Sequence, residues 1–368
     1  MKKMYSKFSL VLVLALLSFT TNLNAQLTLP AGSPEAEVSQ RVGITDITIH
    51  YNRPYVKGRE IWGKLVPYGF NDLGFGTSKS APWRAGADYN TTIEFTHDVK
   101  VEGKDVKAGK YALFFAIEEN GDVTGILSNN TTSWGSYFYD EAEDALRFNV
   151  KSNDIEDSVE MLTFSFDTAD ATSTVASLKW AKKEIPVKIE VAVTDIVMEG
   201  IANDLRNPNG FRQATWDQAA NYAFNAGNID KALEWVNASI SGNFFSKETF
   251  SNLSLKSKIL AKQGKSAEAS SYVDKAAEMG TSREVYGLGT QLLGTDVDKA
   301  FGILKANVKN SKGAWPSNYG LARAYSAKGD YKNAIKSINK SLTVAPANFK
   351  PRLEQSIERL KKGEDINK

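Results

Sequence analysis

The sequence predicts a two-domain β-then-α protein, with an antiparallel β-sandwich or jelly roll at residues 27–193 and an α-helical repeat solenoid at 194–365. In the first part, apolar and polar residues alternate with a period of two over about eight or nine short segments. In the second, the period changes to about 3.6 and a helix-pair pattern recurs near every 34 residues. At 368 residues, the chain also exceeds the length that one hydrophobic core usually supports.

The N-terminus has the pattern of a secretory signal peptide. A basic start, MKKMYSK, is followed by an apolar run at residues 8–19 and a polar stretch that ends in Leu23-Asn24-Ala25. This order predicts a signal peptide at residues 1–25 with cleavage after Ala25. The apolar run is shorter than the roughly 20 residues that a bilayer requires. We therefore expect an exported protein, periplasmic or extracellular, with no stable membrane span after cleavage.

Composition excludes several kinds of chemistry. The chain contains no Cys and two His, which excludes disulfides, thiolate metal sites, cysteine nucleophiles and a lipid-anchored cysteine. The formal net charge is +2, and removal of the three lysines in the signal segment leaves −1. A net charge this close to zero gives no excess of basic residues for binding nucleic acid, so no nucleic-acid partner is predicted.

The β half contains one long segment without a strand pattern. Residues 44–51 alternate cleanly, and residues 110–117 are apolar on both faces, which predicts a central buried strand. Residues 27–42 are expected to be an extended lead-in. Residues 52–90 are rich in Gly and Pro and are predicted to be irregular, a length of loop that is often functional. Further strands are predicted at residues 91–96, 123–128, 146–151, 160–167, 174–180 and 187–193.

The helical half is predicted to begin with a helix at residues 194–206 and then to repeat. Alignment of Ala232, Ala269, Ala300 and Ala334 gives spacings of 37, 31 and 34 residues. In the last copy, small and bulky residues follow one order: Leu321, Ala322, Tyr325, Gly329, Ala334, Ile338 and Pro346. This order resembles the tetratricopeptide repeat family, which implies stacked helix pairs that hold a polypeptide partner. The third copy departs from the pattern, with Thr295 where the turn glycine would be.

A second resemblance covers about residues 34–193. The runs that carry it are QRVGITDITIHYNRPYVKGREIWG, PYG, WRAGA, TTIEF, AGKYALF and WGSYFYD. They resemble the bacterial secreted family catalogued as domain of unknown function 2911, in which copies followed by tetratricopeptide-like repeats are familiar. The resemblance implies a β domain in an exported protein. It implies no reaction, substrate or cofactor.

Arginine and aromatic residues of the β half form the main candidate ligand site. Their flat aromatic faces and guanidinium forks suit sugars, peptides or carboxylates, by stacking and bidentate hydrogen bonds. The alternative is structural, because a long irregular segment needs side-chain anchors where its backbone groups cannot all pair. The candidates are Arg53, Arg59, Trp62, Trp83, Arg84, Trp134, Tyr137 and Tyr139.

Three carboxylates flank the irregular segment and allow an enzymatic alternative. Glu60, Asp88 and Glu94, with His50 as a general base, could support acid–base hydrolysis of a glycan if two of them converge. The same carboxylates could instead pair with arginines of the segment. Neither His50 nor His97 has a partner at metal-ligand spacing, so no metal site and no cofactor are predicted.

These patterns favour an exported, non-enzymatic interaction protein of the bacterial cell envelope. A polypeptide partner is expected on the repeats, and a glycan or peptide ligand on the loops at residues 52–90 and 129–139. One alternative is a glycan-directed hydrolase that uses Glu60, Asp88, Glu94 and His50. Another is a module that self-assembles through an exposed sheet edge.

Overall fold

The computed structural model describes residues 30–368, which divide into two compact units at Val193 and Thr194. The expected signal peptide lies outside the described residues. Antiparallel strands build the first unit and α-helices build the second, so the predicted order of β followed by α is confirmed. The finer description of the β half as a sandwich or jelly roll stays a prediction.

Ten antiparallel strands in the described chain form two sheets. The strands are β1 (Glu35–Val42), β2 (Thr45–Asn52), β3 (Thr92–Phe95), β4 (Val99–Val101), β5 (Lys104–Val106), β6 (Gly109–Ile117), β7 (Asp122–Ser128), β8 (Asp144–Lys151), β9 (Asn153–Ala169) and β10 (Ser173–Val191). The larger sheet has the order β1-β2-β3-β6-β7-β8 and the smaller has the order β5-β4-β10-β9.

Hydrophobic patterning explains the larger sheet. Strand β2 buries Ile47, Ile49 and Tyr51 on one face, and β6 is buried on both faces, as expected for a central strand. Strand β1 corrects the expected extended lead-in, because it pairs with the whole of β2 as an edge strand. Its alternating positions are mostly polar and partly exposed, so no hydrophobic alternation marked it in the sequence.

The smaller sheet contains two strands that are longer than predicted. Strand β10 has 19 residues and joins the two segments predicted at 174–180 and 187–193, and β9 has 17. The polar residues between those segments stay in the strand because Lys183 and Glu184 pair with the start of β9, after a bulge at Ala181. The edge of β9 that faces away from β10 begins with four acidic side chains in eight residues, a composition that opposes edge-to-edge pairing.

The two sheets meet where the irregular segment begins. The Tyr51 ring packs edge-on against Phe164 of β9 at 4.9 Å, and its hydroxyl accepts the Phe164 backbone N–H at 3.1 Å. Beyond β2, the backbone of residues 54–56 runs beside β9, with Leu162 donating to the Pro54 carbonyl at 3.0 Å. The segment from Arg53 to Thr91 contains no strand, as predicted.

The second unit contains ten α-helices among the described residues. They are α1 (Val193–Asp204), α2 (Gln213–Asn225), α3 (Ile229–Ile240), α4 (Phe250–Lys262), α5 (Ser266–Met279), α6 (Ser282–Leu292), α7 (Val297–Asn310), α8 (Trp315–Ala327), α9 (Tyr331–Val344) and α10 (Lys350–Lys361). From α2 to α9 they form four consecutive pairs. Across residues 30–368, no helix has the length and apolar character needed to cross a membrane.

The helix pairs differ in the chemistry of their turns and in the length of the connections between them. Gly227, Gly264 and Gly329 turn three of the pairs with left-handed φ values of 80°, 77° and 75°. The α6–α7 turn has no left-handed glycine, and Asp296 instead caps α7 by accepting the Lys299 backbone N–H at 2.9 Å. The shorter spacing of the third copy comes from the two residues that join α5 to α6 and from the length of α6, which has 11 residues.

Leu304 fixes the first helices of successive pairs. It is buried on α7, and it fills space that Gly289 of α6 and Gly320 of α8 leave open. A Cβ added at Gly289 would lie 2.5 Å from the Leu304 side chain, and one at Gly320 would lie 2.8 Å from it. The absence of these two side chains therefore lets α6 and α8 pack against the same leucine.

Candidate functional site

A cavity of about 520 Å³ lies beside the irregular segment of the first unit, and we call it the Trp83 cavity. Three predicted ligand-binding residues, Arg59, Trp83 and Arg84, line it. Its other lining residues come from the N-terminal lead-in, the same segment and β10: Gly32, Ser33, Pro54, Tyr55, Lys57, Leu65, Val66, Gly86, Ala87 and Trp180.

Three tryptophans pack together at this cavity. Trp83 is held on β6 because it exchanges both backbone hydrogen bonds with Phe115, at 2.8 Å each. Its indole stacks on Trp180 with ring centroids 5.9 Å apart and donates to the Gly86 carbonyl at 3.2 Å. Trp62 packs edge-on against both, at 5.6 Å from Trp83 and 6.1 Å from Trp180. The cluster gives the cavity a rigid aromatic side.

The charged residues that line the Trp83 cavity are all cationic. Arg59 is positioned by its own segment, since its guanidinium donates to the carbonyls of Val56 and Tyr55. The Lys57 ammonium lies 5.2 Å from the centre of the Tyr55 ring. Within the part of the chain that the structure describes, no Asp or Glu lines the cavity. The side chains that line the cavity therefore carry a net positive charge.

Arg84 connects the cavity to a second aromatic group. Its guanidinium lies 5.6 Å from the centre of the Trp134 ring. Burial lowers the pKa of Arg84 from its ordinary value, and the nearby Tyr137 and Asp88 oppose that change. Its Nε is fully buried and has no hydrogen-bond partner among residues 30–368.

The second aromatic group is exposed on the loops at residues 71–81 and 129–139. Trp134 stacks on Tyr137 with centroids 5.9 Å apart and is 52% exposed. Phe75 packs edge-on against Tyr137 at 5.6 Å and against Phe138 at 5.8 Å. The predicted Arg and aromatic residues thus fall into two adjoining sets, and Arg84 belongs to both.

Two of the predicted ligand-binding residues are engaged inside the fold. Arg53 donates to the Leu162 carbonyl at 2.9 Å and to the Thr163 hydroxyl at 2.6 Å, which ties the irregular segment to β9. The Tyr139 hydroxyl donates to the Asp144 carboxylate at 2.8 Å and accepts from Arg147 at 2.7 Å. Burial, with the Asp144 hydrogen bond, raises the pKa of Tyr139 strongly.

Tyr139→Phe should cost about 1–2 kcal/mol of unfolding free energy, because it leaves the Asp144 carboxylate with one donor fewer in a partly buried site. Urea unfolding followed by circular dichroism measures this loss. Tyr89→Phe is the matched control, since Tyr89 is exposed and its hydroxyl makes no hydrogen bond within residues 30–368. Equal stability of the two variants would contradict a structural role for the Tyr139 hydroxyl.

The candidate catalytic residues lie outside the lining of the Trp83 cavity. Glu60 is exposed, and Glu94 is exposed on β3 opposite Thr48 and Lys110. Asp88 has a left-handed φ of 59°, and its backbone carbonyl accepts the Gly135 N–H at 2.9 Å.

The two histidines have local polar partners. The His50 Nδ1 lies 3.3 Å from the Glu35 carboxylate across the β1–β2 pair. The His97 Nδ1 lies 3.2 Å from the Thr45 hydroxyl. In the described chain, no group of three His, Asp or Glu residues is arranged to hold a metal ion.

The second unit has its own pocket, of about 300 Å³, which we call the repeat pocket. Tyr286 of α6 stacks on Tyr319 of α8 at 6.2 Å, and Trp315 stacks on Phe349 at 4.5 Å. The Tyr319 hydroxyl is 3.1 Å from Ser356 of α10. The lining residues are Arg283, Tyr286, Trp315, Pro316, Tyr319, Phe349, Arg352 and Leu353.

The repeat pocket joins an apolar floor to two free cations. Arg283 and Arg352 are both exposed, and within residues 30–368 neither side chain makes an ion pair or hydrogen bond. Tyr286, Tyr319 and Arg352 recur every 33 residues, so they occupy one position on the first helix of successive repeats. This 33-residue spacing is the feature of the sequence that indicates the pocket, and it was not used in the prediction of site residues.

Trp180 also lines the Trp83 cavity, although it was not among the predicted ligand-binding residues. It follows Thr174, Ala176 and Leu178 on the inward face of β10, and it is 1% exposed. The alternation marked it as buried. Its place at the cavity depends on contact with residues 54–87, which are distant in sequence.

Comparison with known proteins identifies two regions. Residues 33–189 match the family described as "Protein of unknown function (DUF2911)", and residues 316–348 match a tetratricopeptide repeat family. The second match spans the α8–α9 pair. No curated protein matches the chain.

Solved structures with detectable similarity are tetratricopeptide repeat proteins of low identity. One is the C-terminal part of such a protein from Cytophaga hutchinsonii, at 16% identity, TM-score 0.34, and coverage of 46% of this chain and 70% of that one. Another, from Parabacteroides merdae, has 14% identity, TM-score 0.34, and coverage of 46% and 67%. YrrB, described as a protein with an unusual peptide-binding site, has 14% identity, TM-score 0.31, and coverage of 44% and 84%. From the family matches, the chain carries a DUF2911 region at residues 33–189, followed by a tetratricopeptide repeat at 316–348.

Proposed function

We propose that this protein is an exported, non-enzymatic interaction protein of the bacterial cell envelope whose helical repeats hold a polypeptide partner. The observation that carries the proposal is the repeat pocket, which is built from α6, α8, α10 and Phe349, the residue directly before α10. Tetratricopeptide repeats generally bind polypeptides, and stacked helix pairs present extended surfaces for them. The partner's identity does not follow from the fold alone.

The pocket's chemistry fits a peptide with an apolar anchor beside an acidic group. The stacked rings of Tyr286 and Tyr319, and of Trp315 and Phe349, offer flat apolar faces of fixed orientation. Arg283 and Arg352 stand free for a carboxylate, which a guanidinium binds in a bidentate manner. Aromatic and arginine residues are also the types that carry most binding energy at protein interfaces.

Export is supported by the sequence of the N-terminus. The basic start, the short apolar run and the small residue at Ala25 have the order of a cleaved secretory signal. A chain expressed with its N-terminus intact in a bacterial host should be recovered from the periplasm or medium, starting at Gln26 by N-terminal sequencing. Recovery in the cytoplasm with residues 1–25 still attached would contradict this part of the proposal.

A peptide selection tests polypeptide binding. A random-peptide display library is panned against the full protein, and selected peptides are labelled and titrated by fluorescence anisotropy. We expect an Arg283→Gln and Arg352→Gln double variant to bind these peptides about tenfold or more weakly, because two charge-assisted hydrogen bonds are lost.

Lys336→Gln is the matched control, because Lys336 is an exposed cation on α9 outside the repeat pocket. It should bind the selected peptides as the wild type does. The proposal fails if no peptide is selected, or if the double variant binds the selected peptides as tightly as the wild type.

A further inference from the structure

We infer that the Trp83 cavity is a binding site for a small organic carboxylate with an apolar or aromatic body. The inference concerns the first unit only and does not depend on polypeptide binding by the repeats. It rests on three features of the cavity: its unbalanced cations, its buried N–H donors without acceptors, and its rigid aromatic side.

The positive charge of the side chains that line the cavity favours an anionic ligand. Lys57, Arg59 and Arg84 line it, and no carboxylate of the described chain does. Glu160 accepts the Lys57 backbone N–H at 2.9 Å, and Asp88 acts on Arg84 through its charge without a hydrogen bond to it. A half-buried guanidinium without a carboxylate partner is costly, and an anionic ligand would remove that cost.

Buried donors point to the same ligand chemistry. The Nε1 atoms of Trp62 and Trp180 and the Nε of Arg84 are buried, and none has an acceptor within residues 30–368. The large majority of buried side-chain polar atoms in folded proteins have a hydrogen-bond partner, so three unpartnered donors in one aromatic cluster are notable. Two of the three belong to residues that line the cavity, and because all three atoms lie beneath its accessible surface they add positive partial charge to its wall. A carboxylate brings acceptor oxygens and no donors.

The size and lining define the body of the ligand. A volume of about 520 Å³ lies within the range of small-molecule sites. Trp83, Tyr55, Leu65 and Val66 supply apolar and aromatic surface for the rest of the molecule. A neutral sugar would stack on the indoles but would leave the Arg84 charge uncompensated. The carboxylate is therefore favoured over the glycan that the sequence also allowed.

Two defined carboxylates and a neutral analogue test the inference. The probes are 4-phenylbutyrate, octanoate and 4-phenylbutanol, with binding to the full protein measured by ligand-observed NMR and by calorimetry. We expect at least one carboxylate to bind with a dissociation constant of about 1 mM or below, and the alcohol to bind about tenfold or more weakly.

Variants assign the binding to the cavity. Arg84→Gln should weaken carboxylate binding by about 10- to 100-fold, and Lys57→Gln, a milder change at an exposed side chain, by about two- to fivefold. Arg41→Gln is the control, because Arg41 is an exposed arginine of the same unit that pairs with Asp46 outside the cavity. Melting curves establish that each variant is folded, and Lys57→Gln decides the outcome if Arg84→Gln is not.

Three results would overturn the inference: no binding of either carboxylate, equal binding of 4-phenylbutyrate and 4-phenylbutanol, or undiminished binding by folded Arg84→Gln and Lys57→Gln. Each would leave peptide binding by the repeat pocket untouched, since that is measured with different ligands and with variants of the other unit.

Discussion

Replacement of Trp180 with alanine is expected to lower the unfolding free energy of the first unit by about 3–5 kcal/mol. Trp180 is 1% exposed, stacks on Trp83 and meets the edge of Trp62, so its removal empties the space between β10 and the irregular segment. The melting temperature of this unit should fall by about 10 °C. Thermal and urea unfolding, followed by circular dichroism, measure both quantities.

Trp134→Ala is the matched control for this loss. Trp134 is a tryptophan of the same unit, but it is 52% exposed and contacts Tyr137 and Arg84 on the surface. Its removal should cost about 0.5–1.5 kcal/mol, the usual range for an aromatic pair. Equal losses for the two variants would contradict the assignment of Trp180 to the core and of Trp134 to the surface.

Gly76→Ala should destabilise the loops around Arg84 by about 2–4 kcal/mol, from left-handed backbone strain and steric overlap together. Gly76 has φ of +78°, and a Cβ there would lie 2.2 Å from the Tyr137 carbonyl oxygen. That carbonyl cannot shift freely, because it accepts the Ser78 backbone N–H at 3.0 Å. The substitution should therefore separate the loop at residues 71–81 from the loop at 129–139.

Gly74→Ala isolates the backbone-strain part of this effect, so its difference from Gly76→Ala gives the steric part. Gly74 lies in the same loop with φ of +72°, and a Cβ there would have nothing within 4 Å. It should cost about 1 kcal/mol, the backbone strain alone. Urea unfolding compares the two variants, and amide hydrogen exchange should show faster opening at residues 129–139 for Gly76→Ala only. Identical behaviour would show that the two loops do not depend on this contact.

The sequence predicted elements wherever burial imposes a regular pattern. Strand β2 begins and ends within one residue of its predicted bounds, because Ile47, Ile49 and Tyr51 face one core. Strand β1 was missed because an edge strand with exposed and half-buried polar side chains carries no such pattern. Strand β10 was divided in two because its polar middle is stabilised by pairing with β9 across a bulge, which local composition does not report.

The candidate site was predictable only in residue type. The sequence singled out Arg59, Trp83 and Arg84, and the fold brings them to one cavity. Arg53 and Tyr139 have the same residue types, yet hydrogen bonds engage them inside the fold, Arg53 with the distant strand β9 and Tyr139 with Asp144, five residues along the chain. The hydrogen-bond acceptors of Arg53 lie about a hundred residues away in the chain, so no local sequence pattern shows that its guanidinium is already bonded.

The most direct test of the central claim, polypeptide binding by the repeats, is amide hydrogen exchange of the full protein with and without a peptide selected from the display library. Binding at the repeat pocket predicts slower exchange in α6, α8 and α10, with residues 30–193 unchanged. Protection confined to residues 30–193, or no protection under saturating peptide, would contradict it.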